Sequence, residues 1–483
     1  MTTRIVSLIV IVFVFAPATP DAAPPQAPQP VRESLAAYYD EHPPAPREQT
    51  VPRLIVVGID GASWDLLDPL LARGELPVLA SLKKRGRYGR LESTIVPESA
   101  MGWTTMRTGV PAGEHGVFSF RSRSPARPSY WRKLDALGLR SLLLAVPKVS
   151  ARESVNGVIV EGWTAHRKSE YTHPRALKQA LERASFDPGL VRTPSPAAYA
   201  ARMRQRTDLL LSLARFEPWD HAFIVYEYGD TAGHKLGLGT RRWKWVQEAI
   251  DREIGRLLEA VGSDTTLLFV SDHGWKRYPA RVNLNAWLAQ EGFLTWRTSI
   301  YSGNSISVRF AGKNVNPTLK QASFLRIQEG LRSLKHPRTG ETVVARLWTP
   351  AEAFPGPFAD SAPFDFLVEL KAPYFASNRK KPRRVFQDTP SEHHHRDGLY
   401  LLVGPGISPG PGRDATLLDV APSILRFYGI ASPEEMAGTS LDPFRGVQRA
   451  AEEQDSPIVI EPPTDSEFDQ DLREKLRSLG YVE

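Results

Sequence analysis

"FVSDHGW", residues 269–275, decides the fold. Residues 267–270 (LLFV) read as a short buried strand and Gly274 as a turn. Asp272 and His273 then stand at the strand's C-terminal edge, where open α/β sheets place their ligands. Alone, the stretch also has a plainer reading, in which Asp272 caps the next element and His273 is an ordinary surface residue. The remainder of the chain separates the two.

Outward from that stretch, the same pattern recurs. "RLIVVGIDG" (53–61) is another apolar strand closed by an acid and a glycine, and two amphipathic helices follow it, "SWDLLDPLLARG" (63–74) and "LPVLASLKKRG" (76–86). Strands are expected at "SLLLAVP" (141–147), "GVIVEG" (157–162), "HAFIVYEY" (221–228) and "LYLLVGPG" (399–406), with helices across 174–186, 198–215 and 242–261 between them. Alternating strands and helices imply an α/β fold whose mostly parallel central sheet carries helices on both faces. Residues 276–390 break the rhythm with "NLNAWLAQEG" (283–292), a helix around 318–334 and short strands, and read as an inserted cap region over the site.

The chain has 483 residues, 41% hydrophobic and 24% charged, a globular composition with ample material for a large core. Its start differs. Arg4 precedes "IVSLIVIVFVF" (5–15), then small residues and "DAA" (21–23), the layout of a signal peptide over 1–23. That apolar run is too short to span a bilayer unaided, and no later stretch is long and apolar enough, so no transmembrane span is expected after cleavage; an uncleaved anchor is the alternative. Residues 24–50 are proline-rich and read as an extended linker. A catalytic domain over 51–445 and an acidic tail over 446–483 complete the expected organisation. There is no cysteine, hence neither a disulfide nor a cysteine-linked lipid. A net charge of +7 suits an anionic substrate and does not call for duplex nucleic acid.

The acids and histidines that follow strands form one set. Asp60 ends the first strand. Asp230 follows "HAFIVYEYG", with His234 four residues on in "GDTAGHKLG". Asp272 and His273 end "LLFVS", and "SEHHHRDG" (391–398) precedes the last strand. Three acids and three histidines at one sheet edge make a two-metal site by count. Zinc takes imidazole nitrogen and carboxylate oxygen, and paired ions clamp the attacking and leaving oxygens of a displacement at phosphorus. Such a site wants a nucleophile. "STIVPESAMGWTTMRTGVPAGEHGV" (93–117) offers Ser99, Thr104 and Thr105, with a plain N-cap as the other reading of Ser99.

The series "VVGIDG…ES…TGVPAGEHGV…GDTAGHKLG…SDHG…HHHRDG" resembles the alkaline phosphatase superfamily, nearest its type I phosphodiesterase/nucleotide pyrophosphatase branch and related phosphohydrolases and phosphomutases. The likeness runs over about residues 53–445 in one motif order. It implies an alkaline-phosphatase-like fold, two divalent ions (zinc, with manganese the alternative) and a catalytic serine nine residues before Thr108, which is Ser99. One ion would be held by Asp230, His234 and a late histidine. The other would be held by Asp60, Asp272, His273 and the oxygen of Ser99. Counting back from Gly398 gives His394 as the late histidine, with His393 and His395 as register alternatives. His115 would be structural.

Departures from the pattern bound the specificity. Gly102 stands where nucleotide pyrophosphatases carry an asparagine, so nucleotide preference does not transfer, and "ESAMGW" lacks the proline and arginine context of sulfatases. The resemblance implies an exported, periplasmic or secreted hydrolase of small-molecule or lipid phosphate esters, a phosphodiesterase working through phosphoserine. A phosphomutase or phosphomonoesterase is the second expectation and a non-catalytic envelope binding protein the third. In "RKKPRR" (379–384), Arg379, Arg383 and Arg384 are candidates for gripping an anion, against the plainer reading of a solvated charge run.

Overall fold

The first strand, LIVVGI, is buried at every position, which only a strand covered on both faces permits. In the computed structural model, which describes residues 29–46, 51–311, 316–377 and 384–441, it is the middle of a large mixed sheet. The strands in chain order are β1 (Leu54–Ile59), β2 (Arg87–Glu92), β3 (Ser141–Leu144), β4 (Gly157–Val160), β5 (Thr172–His173), β6 (His221–Tyr226) and β7 (Thr266–Val270). Across the sheet the order is β5, β4, β3, β6, β1, β7, then a returning strand Asp397–Val403, then β2, with Gly410–Pro411 outside it. Strands β4, β3, β6, β1 and β7 are mutually parallel, and the returning strand runs antiparallel to both its neighbours.

Side-chain alternation along β1 splits the core in two. Ile55, Val57 and Ile59 face one way, towards Leu79, Leu82, Leu209, Ile250 and Ile254 on helices Pro77–Arg85, Pro196–Phe216 and Arg241–Ala260. Leu54 and Val56 face the other way, towards Trp103, Met106, Leu134 and Ile424 on helices Ser99–Thr108, Trp131–Ala136 and Val420–Phe427. This is an alkaline-phosphatase-like α/β architecture. The expected strands all form, with ends shifted by a few residues. Strand β2 (RYGRLE) was not expected, because its charged, half-buried sequence carries no apolar run.

The linker expectation for 24–50 fails over Gln29–Glu41, which is a helix. Val31, Leu35, Tyr38 and Tyr39 recur every three to four residues, and all four are buried in the main core. Prolines on either side hid that period. The signal (1–23) and the tail (446–483) lie outside the described residues. No helix among those described is long and apolar enough to cross a membrane.

The region after β7 forms its own layer. Four antiparallel strands, in the order Trp296–Ser302, Ser305–Phe310, Phe366–Leu370 and Val344–Trp348, pack against helix Pro317–Ser333. Strand Ser391–His395 pairs antiparallel with Gly274–Tyr278, so this layer hands a histidine run back to the sheet edge. A second cluster joins Phe354, Phe364 and Leu367 of the layer to Val96 and Met101 around the start of helix Ser99–Thr108.

Candidate active site

Parallel register brings the acids to one edge. Ile59 is opposite Tyr226 and Gly58 opposite Val270, so the residues after β1, β6 and β7 emerge together. Asp60 follows β1 directly and Asp272 follows β7 by one residue. Asp230 and His234 lie one turn apart on helix Tyr228–Leu236 and share a face. On strand Ser391–His395, His394 sits opposite Trp275.

Of the three adjoining histidines, His394 is the one set against Asp230 and His234. Its Nε2 is 3.1 Å from Asp230 Oδ1 and 2.9 Å from His234 Nε2, and His234 Nε2 lies 3.5 Å from Asp230 Oδ2. His393 stays beside this group, its ring 5.0 Å from that of His394 and 6.0 Å from that of His234, and its Nδ1 accepts from the His394 backbone N–H. His395 accepts at Nδ1 from the backbone N–H of Asp397.

The second group forms around His273. Its Nε2 stands 3.3 Å from Ser99 Oγ, 3.4 Å from Asp272 Oδ2 and 3.8 Å from Asp60 Oδ1. The His273 and His394 rings stack at 3.8 Å, so the two groups adjoin, and His273 offers a ligand atom to both. Nδ1 of each ring lies against a backbone carbonyl, Pro97 at 2.9 Å for His394 and Gly274 at 3.1 Å for His273. Those carbonyls accept a hydrogen bond from Nδ1–H, which leaves Nε2 of the neutral ring free to ligate.

Ser99 is not the N-cap. Glu98 fills that role, its carboxylate accepting from Met101 N at 3.1 Å, and Ser99 begins the helix with its hydroxyl directed at His273. The other hydroxyls are engaged elsewhere. Thr104 Oγ1 donates to the Ala100 carbonyl at 2.7 Å, and Thr105 Oγ1 pairs with His115 Nε2 at 3.0 Å. His115 is fully buried and accepts from Val117 N at its other nitrogen, a structural post for the "GEHG" turn.

Charge is concentrated here beyond what protein groups balance. Burial, then Asp272 and Asp230, push Asp60 well above the carboxylate range; burial and Asp230 push Asp272 up to about 7. Burial acts on Asp230 too, but His234 and His394 beside it hold its carboxyl well below the usual value. Burial takes His234 down to about 4. Asp60 Oδ1 and Asp272 Oδ2 are buried without a hydrogen-bond partner among the described residues. Buried carboxylate oxygens are ordinarily paired or ligated to a metal, and imidazole with carboxylate is a donor set for zinc. The residues therefore fit a pair of divalent cations.

Several contributors carried no signal in the sequence. Trp103 Nε1 donates to Asp60 Oδ2 at 2.9 Å, Trp275 Nε1 to Asp230 Oδ1 at 2.7 Å, and Gly61 N to Asp272 Oδ1 at 3.3 Å. Gly102 abuts the Asp272 turn: a Cβ there would come within 3.2 Å of Asp272 Cβ and carbonyl oxygen, so an asparagine has little room. A cavity of about 390 Å³ opens beside His234, lined by Trp275, Arg277, Arg281 and Glu392. Of the arginines expected to grip an anion, Arg384 is exposed, and Arg379 and Arg383 lie outside the described residues.

Residues 54–397, well over half the chain, match the type I phosphodiesterase / nucleotide pyrophosphatase family. Among solved structures, phosphonoacetate hydrolase from Sinorhizobium meliloti 1021, bound to phosphonoformate, is similar with TM-score 0.54 and 15% identity, over 78% of this chain and 96% of that one. Murine ectonucleotide pyrophosphatase / phosphodiesterase 5 is similar with TM-score 0.52 and 14% identity, over 79% and 96%. At such identities the likeness is one of fold. No curated protein matches the chain.

Proposed function

The chain belongs to the type I phosphodiesterase / nucleotide pyrophosphatase family, and from that premise we propose an exported two-metal hydrolase that cleaves phosphodiesters through a phosphoserine at Ser99. The observation that carries this reading is the buried meeting of Ser99 Oγ, the Nε2 atoms of His273 and His394 and three carboxylates, two of them with an unpartnered oxygen. Asp230, His234 and His394 would hold one cation. Asp60, Asp272, His273 and Ser99 Oγ would hold the other. Zinc suits these donors, with manganese the alternative. Bound there, the cations supply Lewis-acid stabilisation of the charge that develops during in-line displacement.

The chain's own residues supply position. Ser99 sits in the first turn of its helix, where amide N–H groups point outward and favour a developing anion. In the first step the Ser99 Oγ–phosphorus bond forms, the ester P–O bond breaks, and the serine proton leaves with the departing alcohol. Water then cleaves the phosphoserine, releasing the phosphomonoester and restoring the hydroxyl. Export is supported by the N-terminal "IVSLIVIVFVF", which would place the enzyme among lipid and small-molecule phosphate esters.

A diester is preferred because it carries one charge fewer than a monoester. A second reading, a phosphomonoesterase or pyrophosphatase, is favoured by Arg277 and Arg281 beside His234, since guanidinium forks bind extra anionic oxygens. Metal analysis, with turnover of a chromogenic diester and the matching monoester, tests the proposal. Two ions per chain, activity lost on chelation and faster diester cleavage are expected. Trace metal alone after reconstitution would refute the centre, and faster monoester cleavage would transfer the assignment to the second reading.

A further inference from the structure

Each half of the site contains one aspartate held by a buried indole. Trp103 Nε1 donates to Asp60 Oδ2 at 2.9 Å, and Trp275 Nε1 donates to Asp230 Oδ1 at 2.7 Å. Trp103 is fully buried and Trp275 is 4% exposed. An indole has one donor and no acceptor, so it fixes which way a carboxylate turns without competing for a cation. At Asp60 the consequence is direct: Oδ2 is occupied by Trp103, and the remaining Oδ1 faces His273 at 3.8 Å with no hydrogen-bond partner among the described residues.

Backbone clearance is built around both rings. A Cβ on Gly58 would stand 2.5 Å from Trp103 Cη2. A Cβ on Gly61, whose φ is +69°, would stand 2.7 Å from Trp275 Nε1, and one on Gly233 would stand 3.0 Å from Trp275 Cζ2. Gly58 and Gly61 flank Asp60 in "VVGIDG", and Gly233 directly precedes His234. Three glycines of the motifs that supply the ligands thus make room for two tryptophans that supply none. Trp275 also packs its ring edge-on against His234, with centroids 4.7 Å apart.

We propose that Trp103 and Trp275 are paired positioning residues, each orienting the carboxylate of one half of the metal centre and thereby setting the affinity of that half for its ion. The proposal rests on the two-metal reading above. Hydrogen-bond partners of metal ligands typically contribute about 10–100-fold to affinity. Each indole should accordingly act on one ion only, Trp103 on the Asp60–Asp272–His273 half and Trp275 on the Asp230–His234–His394 half.

Calorimetric titration of the metal-free protein with Zn²⁺, in the wild type and in Trp103→Phe and Trp275→Phe, tests this. Phenylalanine keeps an apolar ring but removes the N–H donor together with part of the indole volume. Each variant is expected to weaken one of two binding steps by about 10–100-fold and leave the other in place, while the lost ring volume lowers the thermal midpoint of the metal-free protein. The double variant Asp60→Asn/Trp103→Phe should bind no more weakly than Asp60→Asn alone, because the indole acts through that carboxylate. Wild-type affinity at both steps in both single variants would overturn the proposal while leaving the two-metal reading intact. Additive losses in the double variant would overturn it as well, since they would show the ring acting by packing. A wild type that binds no ion would instead refute the metal centre itself.

Discussion

Ser99, Thr104 and Thr105 are chemically equivalent candidates along one helix, and three local hydrogen bonds separate them. The threonine hydroxyls are taken up by the helix carbonyl of Ala100 and by His115, whereas Ser99 Oγ points at His273. Ser99→Ala should lower phosphodiester turnover by several orders of magnitude, with circular dichroism and thermal midpoint close to wild type. Thr105→Val leaves His115 without its hydroxyl partner and should cost about 1–3 kcal/mol of stability while turnover stays near wild type. Equal turnover losses in the two variants would mean the nucleophile has been misplaced.

The turn after β7 explains the succession Asp–His–Gly. Asp272 and His273 leave the strand together because both serve one cluster, and the glycine is demanded by the strand that returns beside them. A Cβ on Gly274 would stand 2.0 Å from the Asp397 carbonyl oxygen and 2.8 Å from Ser63 Cβ. Gly303 meets the same limit on the inserted layer, where a Cβ would lie 2.2 Å from the His394 carbonyl oxygen. The two glycines let the sheet edge and the inserted layer close upon His273 and His394. Gly274→Ala must move the returning strand, a cost of about 1–3 kcal/mol or more, and should lower both thermal midpoint and metal content. An alanine variant that melts with the wild type would show that the turn is looser than this geometry.

For the molecule as a whole, buried histidines remote from the site set part of the acid limit. His221 opens β6 within hydrogen-bonding distance of Tyr130 OH (2.9 Å) and Ser141 Oγ (3.3 Å), and burial holds its pKa down to about 3. Unfolded, it titrates near 6.5. Between those values the unfolded chain binds the extra proton, so this histidine's contribution to stability falls as the pH falls, by at most about 1.4 kcal/mol per pH unit. Burial also raises Asp135 to about 6 and Glu161 to about 7; these contribute in the opposite sense, losing stability as pH rises towards their folded values. Comparison with His221→Asn isolates one contribution. The variant should melt well below wild type at pH 7, and the gap should narrow as pH approaches 4. A gap of constant size would show that His221 titrates normally in the folded protein.

Much of this architecture was legible from sequence because its signals are local. Runs such as LIVVGI and AFIVY carry no charged or strongly polar side chain, which implies burial on both faces. An acid or histidine just past such a run must emerge at the strand's C-terminal edge, so Asp60, Asp230, His234, Asp272 and His273 could be grouped before any coordinates. Other features belong to contacts between distant segments. The pairing of Ser391–His395 with Gly274–Tyr278 placed His394 opposite Trp275 and within 3.1 Å of Asp230. Docking of Val31, Leu35, Tyr38 and Tyr39 on the core made a helix of a stretch whose prolines suggested a tether. Trp103 and Trp275 bond to aspartates 43 and 45 residues away, a relation no local period encodes. Composition and periodicity determine which face of an element is buried; only the packed sheet decides which side chains meet there.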